Sequence, residues 1–169
     1  MRIIVNDSSA LIDLKKGELL EVFLELPFDF IISDEMLSDE LLSFTKKETA
    51  LMRKKMKVAT LSSQEEVIVI SLQRETPALT LYDCAALVIS KREAGCILLT
   101  GDKRLREKAV RAGVECHGVL WIVEELTKAK LGTRKTLLKA LEIWRDDPFV
   151  RLPKEEVIAM VMHFQKIDR

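Results

Sequence analysis

The sequence has few of the residues on which several common kinds of protein depend. Its 169 residues include three cysteines and two histidines. An odd number of cysteines in apolar surroundings does not suit a disulfide framework and favours buried thiols in a reducing compartment. The pair Cys116-His117 has no second pair at the spacing of a zinc site, so both are better explained as structural residues. We therefore expect a cytoplasmic protein without a disulfide framework or a zinc site.

An excess of charge of one sign and long apolar runs are also missing. Lysine and arginine together number 27, and so do aspartate and glutamate. No global field therefore favours a nucleic acid or a membrane, and attraction to phosphate must come from local basic patches or bound cations. Asn6 and Asp7 interrupt the N-terminal apolar run, and no uninterrupted apolar stretch approaches roughly 18 residues. We expect a soluble protein without membrane contacts.

The sequence does contain a regular alternation of short apolar runs and helical patterns. The apolar runs predict strands at 2–5, 28–32, 58–61, 96–100 and 114–117, with helices between them, one of which runs from 34 to about 44. Short apolar strands that alternate with helices predict an α/β fold with a mostly parallel sheet between two helical layers. Beyond about residue 120 the pattern is purely helical. We predict one domain over 1–126 and a C-terminal helical extension, 127–169, packed on it.

Two aspartates stand where a predicted strand ends and a helix begins. Asp7 follows the first strand, and Asp102 follows the strand that ends near Thr100. Ligands of parallel α/β sheets bind beyond the carboxyl ends of the strands, which makes both acids candidates for a binding site. Aspartate is also among the best helix N-caps, so each could simply cap the helix that follows it. Local position does not separate these two roles.

A third acid, Asp83, begins a helix that is apolar almost all round. Such a helix must be buried, where an unpaired charge is costly, so Asp83 needs either a cation or hydrogen-bond donors. The alternative is a capping box, in which Asp83 bonds the backbone at Thr80 and thereby finds donors locally.

A fourth acid comes from the segment after the second predicted strand. That segment contains four acids: Asp34, Glu35, Asp39 and Glu40. At about 100° per residue, Glu40 lies beside the apolar face that Leu37 and Phe44 define, whereas Glu35 and Asp39 point away from it. Asp34 is better placed as a helix cap. The alternative for Glu40 is an acid at the edge of a solvated face.

The four acids, if they converge, require a cation. Two carboxylates about 4 Å apart repel each other by roughly 4 kcal/mol at an effective dielectric constant near 20. Ligands that are all oxygen atoms favour Mg²⁺ or Mn²⁺ over zinc. Enzymes that cleave nucleic acids use such ions to polarise the phosphate and stabilise the leaving oxygen.

Four motifs in the order of the chain resemble those of the PIN-domain family, the fold of the VapC-like toxins and related endoribonucleases. IIVNDSSALIDL resembles the family's first strand and implies that Asp7 is a metal ligand supported by Ser9. FIISDEMLSDELLS is similar to the second motif and implies Glu40. LTLYDCAALVISKREAGCILLTGDKRL is similar to the third and fourth motifs and implies Asp83 and Thr100 with Asp102. The resemblance covers roughly residues 2–126.

The resemblance implies a Mg²⁺- or Mn²⁺-dependent endoribonuclease that leaves a 5′-phosphate. It also implies an RNA substrate, a homodimer and, for a toxin, an antitoxin partner. Arg104 and Arg106 are the candidate contacts to RNA phosphates, because they follow Asp102 in the sequence. Many active members have a further acid two or three residues after that aspartate, where this chain has Lys103, Arg104 and Leu105. The alternative is therefore a weak or inactive PIN module that binds RNA or a protein partner.

An enzyme of another class, a phosphatase with a nucleophilic aspartate, remains a further alternative. It would use Asp7 as the nucleophile. Against it, Asp7-Ser8-Ser9 lacks the second acid that such enzymes have two residues later.

Overall fold

The computed structural model describes residues 1–166 and contains a five-stranded parallel sheet at its centre. The strands are β1 (Ile3–Asn6), β2 (Asp29–Ser33), β3 (Met56–Ala59), β4 (Ile97–Leu99) and β5 (Glu115–His117). Their order is β3-β2-β1-β4-β5, and every neighbouring pair is parallel. The predicted α/β class with a central parallel sheet is confirmed. The last three residues of the predicted extension, 167–169, lie outside the described residues.

Helices flank this sheet in a three-layer arrangement. They are α1 (Ser8–Lys16), α2 (Leu20–Phe23), α3 (Lys46–Lys55), α4 (Ser63–Glu75), α5 (Leu81–Arg92), α6 (Lys103–Arg111), α7 (Val119–Lys128), α8 (Arg134–Asp146) and α9 (Lys154–Lys166). Complete capping boxes begin α3, α4 and α5, so the side chain at the start of each of these helices satisfies backbone N–H groups that have no partner within the helix. Helix α5 packs on β1, β2 and β4, while α1 packs on α2, α7 and α8. Among residues 1–166, no helix combines the length and the apolar character needed to cross a bilayer.

The segment after β2 differs from the prediction of one helix from 34 to about 44. Ser33 Oγ accepts a hydrogen bond from the Met36 N–H at 3.2 Å, and a π-helix then runs from Met36 to Glu40. It closes with a bond from the Leu41 N–H to the Met36 carbonyl, at 3.2 Å. The prediction of a longer α-helix is wrong because a hydrophobic period of 3.6 residues does not reveal a turn closed between residues five apart. Glu40 consequently ends a short, wide turn above the sheet.

The C-terminal helices are fixed to the sheet through α1. The indole N–H of Trp144, on α8, donates to the Asp13 carbonyl at 2.7 Å. Gly17, which ends α1, allows this contact, because a Cβ there would lie 2.8 Å from the Trp144 ring. Trp144 is only 2% exposed. This contact holds α1, which begins beside Asp7, against the C-terminal helices.

Candidate metal centre

The candidate site lies where the strand order reverses. Strands β1 and β4 are neighbours at the centre of the sheet, and their onward connections lead to opposite edges. In parallel sheets the crevice beyond the strand ends at such a point is the usual ligand site. Asp7 follows β1 directly, and its N–H donates to the Leu99 carbonyl of β4 at 3.0 Å. Thr100 and Asp102 follow β4 on the other side of the same crevice.

Asp7 is completely buried, and its carboxylate does not cap α1. One oxygen, Oδ2, accepts hydrogen bonds from Ser9 Oγ at 2.5 Å and from Thr100 Oγ1 at 2.7 Å. The other oxygen, Oδ1, is buried and has no hydrogen-bond partner in the part of the chain described. Asp7 therefore occupies the N-cap position of α1, but its side chain caps no N–H group of that helix. Ser9 and Thr100 lie where they can orient this carboxylate, as their predicted supporting role requires.

The electrostatics of Asp7 reflect this burial. Burial raises the pKa of Asp7 from 3.8 to about 7, although the hydrogen bonds from Ser9 and Thr100 lower it. The negative charges of Asp83 and Glu40 raise it further. Asp7 thus occupies a place where a negative charge is unfavourable unless a positive charge accompanies it.

Glu40 reaches this cluster from the end of the π-helix. Its Oε2 atom is buried without a hydrogen-bond partner among residues 1–166. Burial raises the pKa of Glu40, a hydrogen bond from Ser8 lowers it, and the charge of Asp83 raises it. Glu40 is therefore half-buried with one oxygen enclosed, and the alternative of an acid at the edge of a solvated face stays open. Sequence reasoning did not identify Ser8, the first residue of α1, whose side chain lowers the pKa of Glu40.

Asp83 occupies two roles at once. Its Oδ2 accepts from the Thr80 N–H at 2.7 Å, and its own N–H donates to Thr80 Oγ1 at 3.1 Å, so the predicted capping box is present. The residue is 8% exposed. Its charge nevertheless acts on both Asp7 and Glu40. The cap uses one carboxylate oxygen of Asp83. The same side chain also belongs to the cluster of Asp7, Glu40 and Asp83.

Asp102 stands apart from these three acids. Its Oδ1 caps α6 by accepting from the Leu105 N–H at 2.8 Å. Its N–H donates to Thr100 Oγ1 at 3.0 Å, and Thr100 in turn donates to Asp7. The structure thus brings Asp7, Glu40 and Asp83 together and connects Asp102 to them through Thr100.

Two further acids near the site were not identified from the sequence. Glu35 was expected to point away from the apolar face, yet its Oε2 atom is buried, with no hydrogen-bond partner within the described chain. Burial raises the pKa of Asp13 to about 6, and the charge of Lys16 lowers it. Asp13 lies one turn after Ser9 on α1, so the spacing of neighbours on a helix could have indicated it.

The two candidate RNA contacts lie on α6, directly after Asp102. Arg104 is exposed. The Nη2 atom of Arg106 donates to the Thr100 carbonyl at 3.1 Å, which places this guanidinium beside the loop that holds Asp7. The structure therefore places Arg106 close to the candidate site.

The donor set suits a hard divalent cation. Asp7 and Glu40 each have a buried carboxylate oxygen without a partner, and such atoms need a cation or a donor. All the candidate metal ligands are oxygen atoms, which Mg²⁺ and Mn²⁺ prefer. Across residues 1–166, however, no three His, Cys, Asp or Glu side chains are already spaced to hold a metal ion. Ligation by three of these side chains would therefore require the carboxylates to move closer together.

Comparison with known proteins supplies one further observation. A family model described as PIN domain matches residues 3–162. No curated protein matches the chain significantly. The matched range extends from the first residue of β1 into α9 and includes every acid of the candidate site.

Proposed function

Because the chain belongs to the PIN-domain family, whose members are generally nucleases, we propose that it is a metal-dependent ribonuclease. Asp7, Glu40 and Asp83 would hold Mg²⁺ or Mn²⁺. The protein would use this site to hydrolyse RNA phosphodiester bonds. The observation that carries the proposal is the unpartnered Oδ1 of the fully buried Asp7, next to the charges of Glu40 and Asp83. A cation would satisfy that oxygen and offset the repulsion among the three acids. When bound, such an ion polarises the phosphate and stabilises charge on the leaving oxygen.

The protein's own groups have separable tasks in this proposal. Ser9 and Thr100 hold Oδ2 of Asp7, which leaves Oδ1 available as a ligand. Ser8 orients Glu40, and Thr80 fixes Asp83 at the start of α5. Hydroxyl groups that orient carboxylate ligands in this way usually affect both metal affinity and activity.

Asp102 has a less direct role in the proposal. Its carboxylate caps α6, and its N–H positions Thr100. We propose that it orders the loop beside Asp7, while its cap, like that of Asp83, uses only one carboxylate oxygen. Arg104, exposed in the first turn of α6, is the proposed contact to an RNA phosphate.

The second candidate function is a PIN module that binds RNA or a protein with little or no catalysis. The engagement of Asp102 as a helix cap favours it, as do the basic residues that follow Asp102 in place of a further acid. The toxin role, an antitoxin partner, a homodimer and a cytoplasmic location remain predictions.

Cleavage of single-stranded RNA by the purified full chain tests the proposal. Activity should require added Mg²⁺ or Mn²⁺, disappear in EDTA, and fall at least 100-fold in Asp7→Asn and Asp83→Asn. The matched control is Asp29→Asn, at an exposed position at the start of β2. Cleavage that survives both site substitutions would refute the assignment. Binding of RNA without cleavage would favour the second candidate.

A further inference from the structure

A groove beside the candidate metal centre has the chemistry of a base-binding site. It encloses about 390 Å³ between the end of β5, α6, α7 and the start of α9. This volume falls in the range of roughly 300–1,000 Å³ typical of small-molecule sites. The residues that give the groove its chemical character are Arg106, His117, Trp121, Glu124 and Glu156.

The groove adjoins the acidic cluster through Thr100. Arg106 Nη2 donates to the Thr100 carbonyl at 3.1 Å, and Thr100 Oγ1 donates to Asp7 at 2.7 Å. Arg106 follows Asp102 by four residues, which is about 6 Å along a helix. Gly118 permits this approach, because a Cβ there would lie 2.9 Å from Arg106 Nη2. A nucleotide next to the cleaved phosphate could therefore place its base in the groove.

An aromatic pair forms one wall of the groove. The rings of His117 and Trp121 are stacked, with centroids 4.4 Å apart and planes 16° apart. Both side chains are partly exposed. Bases of single-stranded RNA stack on aromatic side chains of these types, and stacking of this kind tolerates every base. The aromatic pair thus accounts for affinity and leaves the choice of base to the polar groups.

The polar groups of the groove combine one donor side chain with two acceptors. Arg106 has five N–H donors, of which the bond to Thr100 uses one. Glu124 and Glu156 are exposed carboxylates that accept hydrogen bonds and repel phosphate. The two carboxylates therefore favour a base over a phosphate as the occupant.

We propose that this groove binds a guanine base of the substrate, an inference that rests on the proposed ribonuclease function. Guanine presents acceptors at O6 and N7, which suit Arg106, and donors at N1 and N2, which suit a carboxylate. Adenine has an acceptor at N1, and cytosine has one at N3, where a carboxylate would be repelled. Uracil lacks an amino group. The other bases can offer the arginine one acceptor and a carboxylate one donor, but guanine alone presents two adjacent acceptors to the arginine and two adjacent donors to a glutamate.

Tryptophan fluorescence tests base selection separately from catalysis. The four nucleoside 5′-monophosphates are titrated into the full chain in EDTA, where metal-dependent cleavage cannot occur. Trp144 is buried, so quenching by a ligand reports on Trp121. GMP should bind roughly 5- to 150-fold more tightly than AMP, CMP or UMP, the discrimination expected of one bidentate base contact. Calorimetric titration of GMP provides a second measurement.

Matched substitutions assign the selectivity to the two glutamates. Glu124→Gln combined with Glu156→Gln should reduce the preference for GMP by at least fivefold. Glu155→Gln, the neighbouring exposed glutamate, should leave the preference unchanged. Equal binding of all four nucleotides, no binding, or an equal loss in the Glu155 variant would overturn the inference.

Cleavage data distinguish this inference from the proposed function. RNA substrates that differ only in one guanine should be cleaved with a matching preference that the double variant loses. Metal-dependent cleavage without a base preference would refute the proposed guanine site and leave the proposed ribonuclease function intact. Selective GMP binding without any cleavage would refute the ribonuclease and leave the groove as a guanine nucleotide site.

Discussion

Replacement of Asp7 by asparagine should stabilise the metal-free protein. Burial and the neighbouring acids raise the pKa of Asp7 from 3.8 to about 7. The pKa of Asp7 is higher in the folded state, so between about pH 4 and about pH 7 the folded protein binds more protons than the unfolded chain. The free energy of unfolding therefore falls as pH rises from about 4 to about 7. At about 1.4 kcal/mol per pKa unit, the ionised carboxylate lowers the free energy of unfolding by about 4 kcal/mol above pH 7.

Asparagine removes this charge while it keeps the shape of the side chain. Its carbonyl can still accept from Ser9 and Thr100, and its amide can occupy the position of the unpartnered Oδ1 and donate to an acid nearby. We expect the free energy of unfolding at pH 8 in EDTA to rise by about 2–4 kcal/mol in Asp7→Asn. For a chain of this length the melting temperature should rise by roughly 5–15 °C. Below about pH 4, Asp7 is protonated in both the folded and the unfolded chain, so the difference in stability between the variant and the unmodified protein should vanish.

Thermal and urea unfolding across pH 4–8 measure this effect, with and without Mn²⁺. Saturating Mn²⁺ should stabilise the unmodified protein, by about 2.7 kcal/mol at one hundred times its dissociation constant. Asp7→Asn should lose most of that gain. Asp29→Asn, at an exposed site, should change neither value. The reasoning fails if Asp7→Asn is destabilised at pH 8 in EDTA, or if Mn²⁺ stabilises it as much as the unmodified protein.

Substitutions at Thr100, Asp102 and Gly17 test three further contacts. Thr100→Val should raise the pKa of Asp7 further, because it removes a bond that lowers it; unfolding in urea as a function of pH should show the titration midpoint moving upward, and an unchanged midpoint would contradict this. Asp102→Ala should lower the free energy of unfolding by about 1 kcal/mol through loss of the α6 cap, whereas Asp102→Asn should retain it; equal losses in urea would argue against capping. Gly17→Ala should cost about 1–3 kcal/mol, since its Cβ would lie 2.8 Å from the Trp144 ring; an unchanged melting temperature would refute that contact.

Most of the fold could be predicted because its signals are local. Alternating short apolar runs and helical patterns predicted the parallel sheet, and the capping box at Thr80 and Asp83 predicted where α5 begins. The π-helix could not be predicted in this way, since residues 36–40 have the composition of an ordinary amphipathic turn. Glu40 was still identified, because a residue at the edge of the apolar face stays near it when the turn widens. Glu35 was missed because its helical phase placed it away from the apolar face, whereas its Oε2 atom is buried in the folded chain.

The difference between Asp7 and Asp102 shows what a local pattern leaves open. Each aspartate follows a buried strand, precedes a helix and has an extended backbone, so the sequence gives both the same two roles. The Asp102 carboxylate accepts a hydrogen bond from the Leu105 N–H of its own helix. The carboxylate of Asp7 is instead held by Ser9 and by Thr100, a residue 93 positions away that arrives through the pairing of β1 with β4. Because Thr100 follows another strand, tertiary structure rather than local position decides which aspartate has a buried oxygen without a hydrogen-bond partner within the described chain.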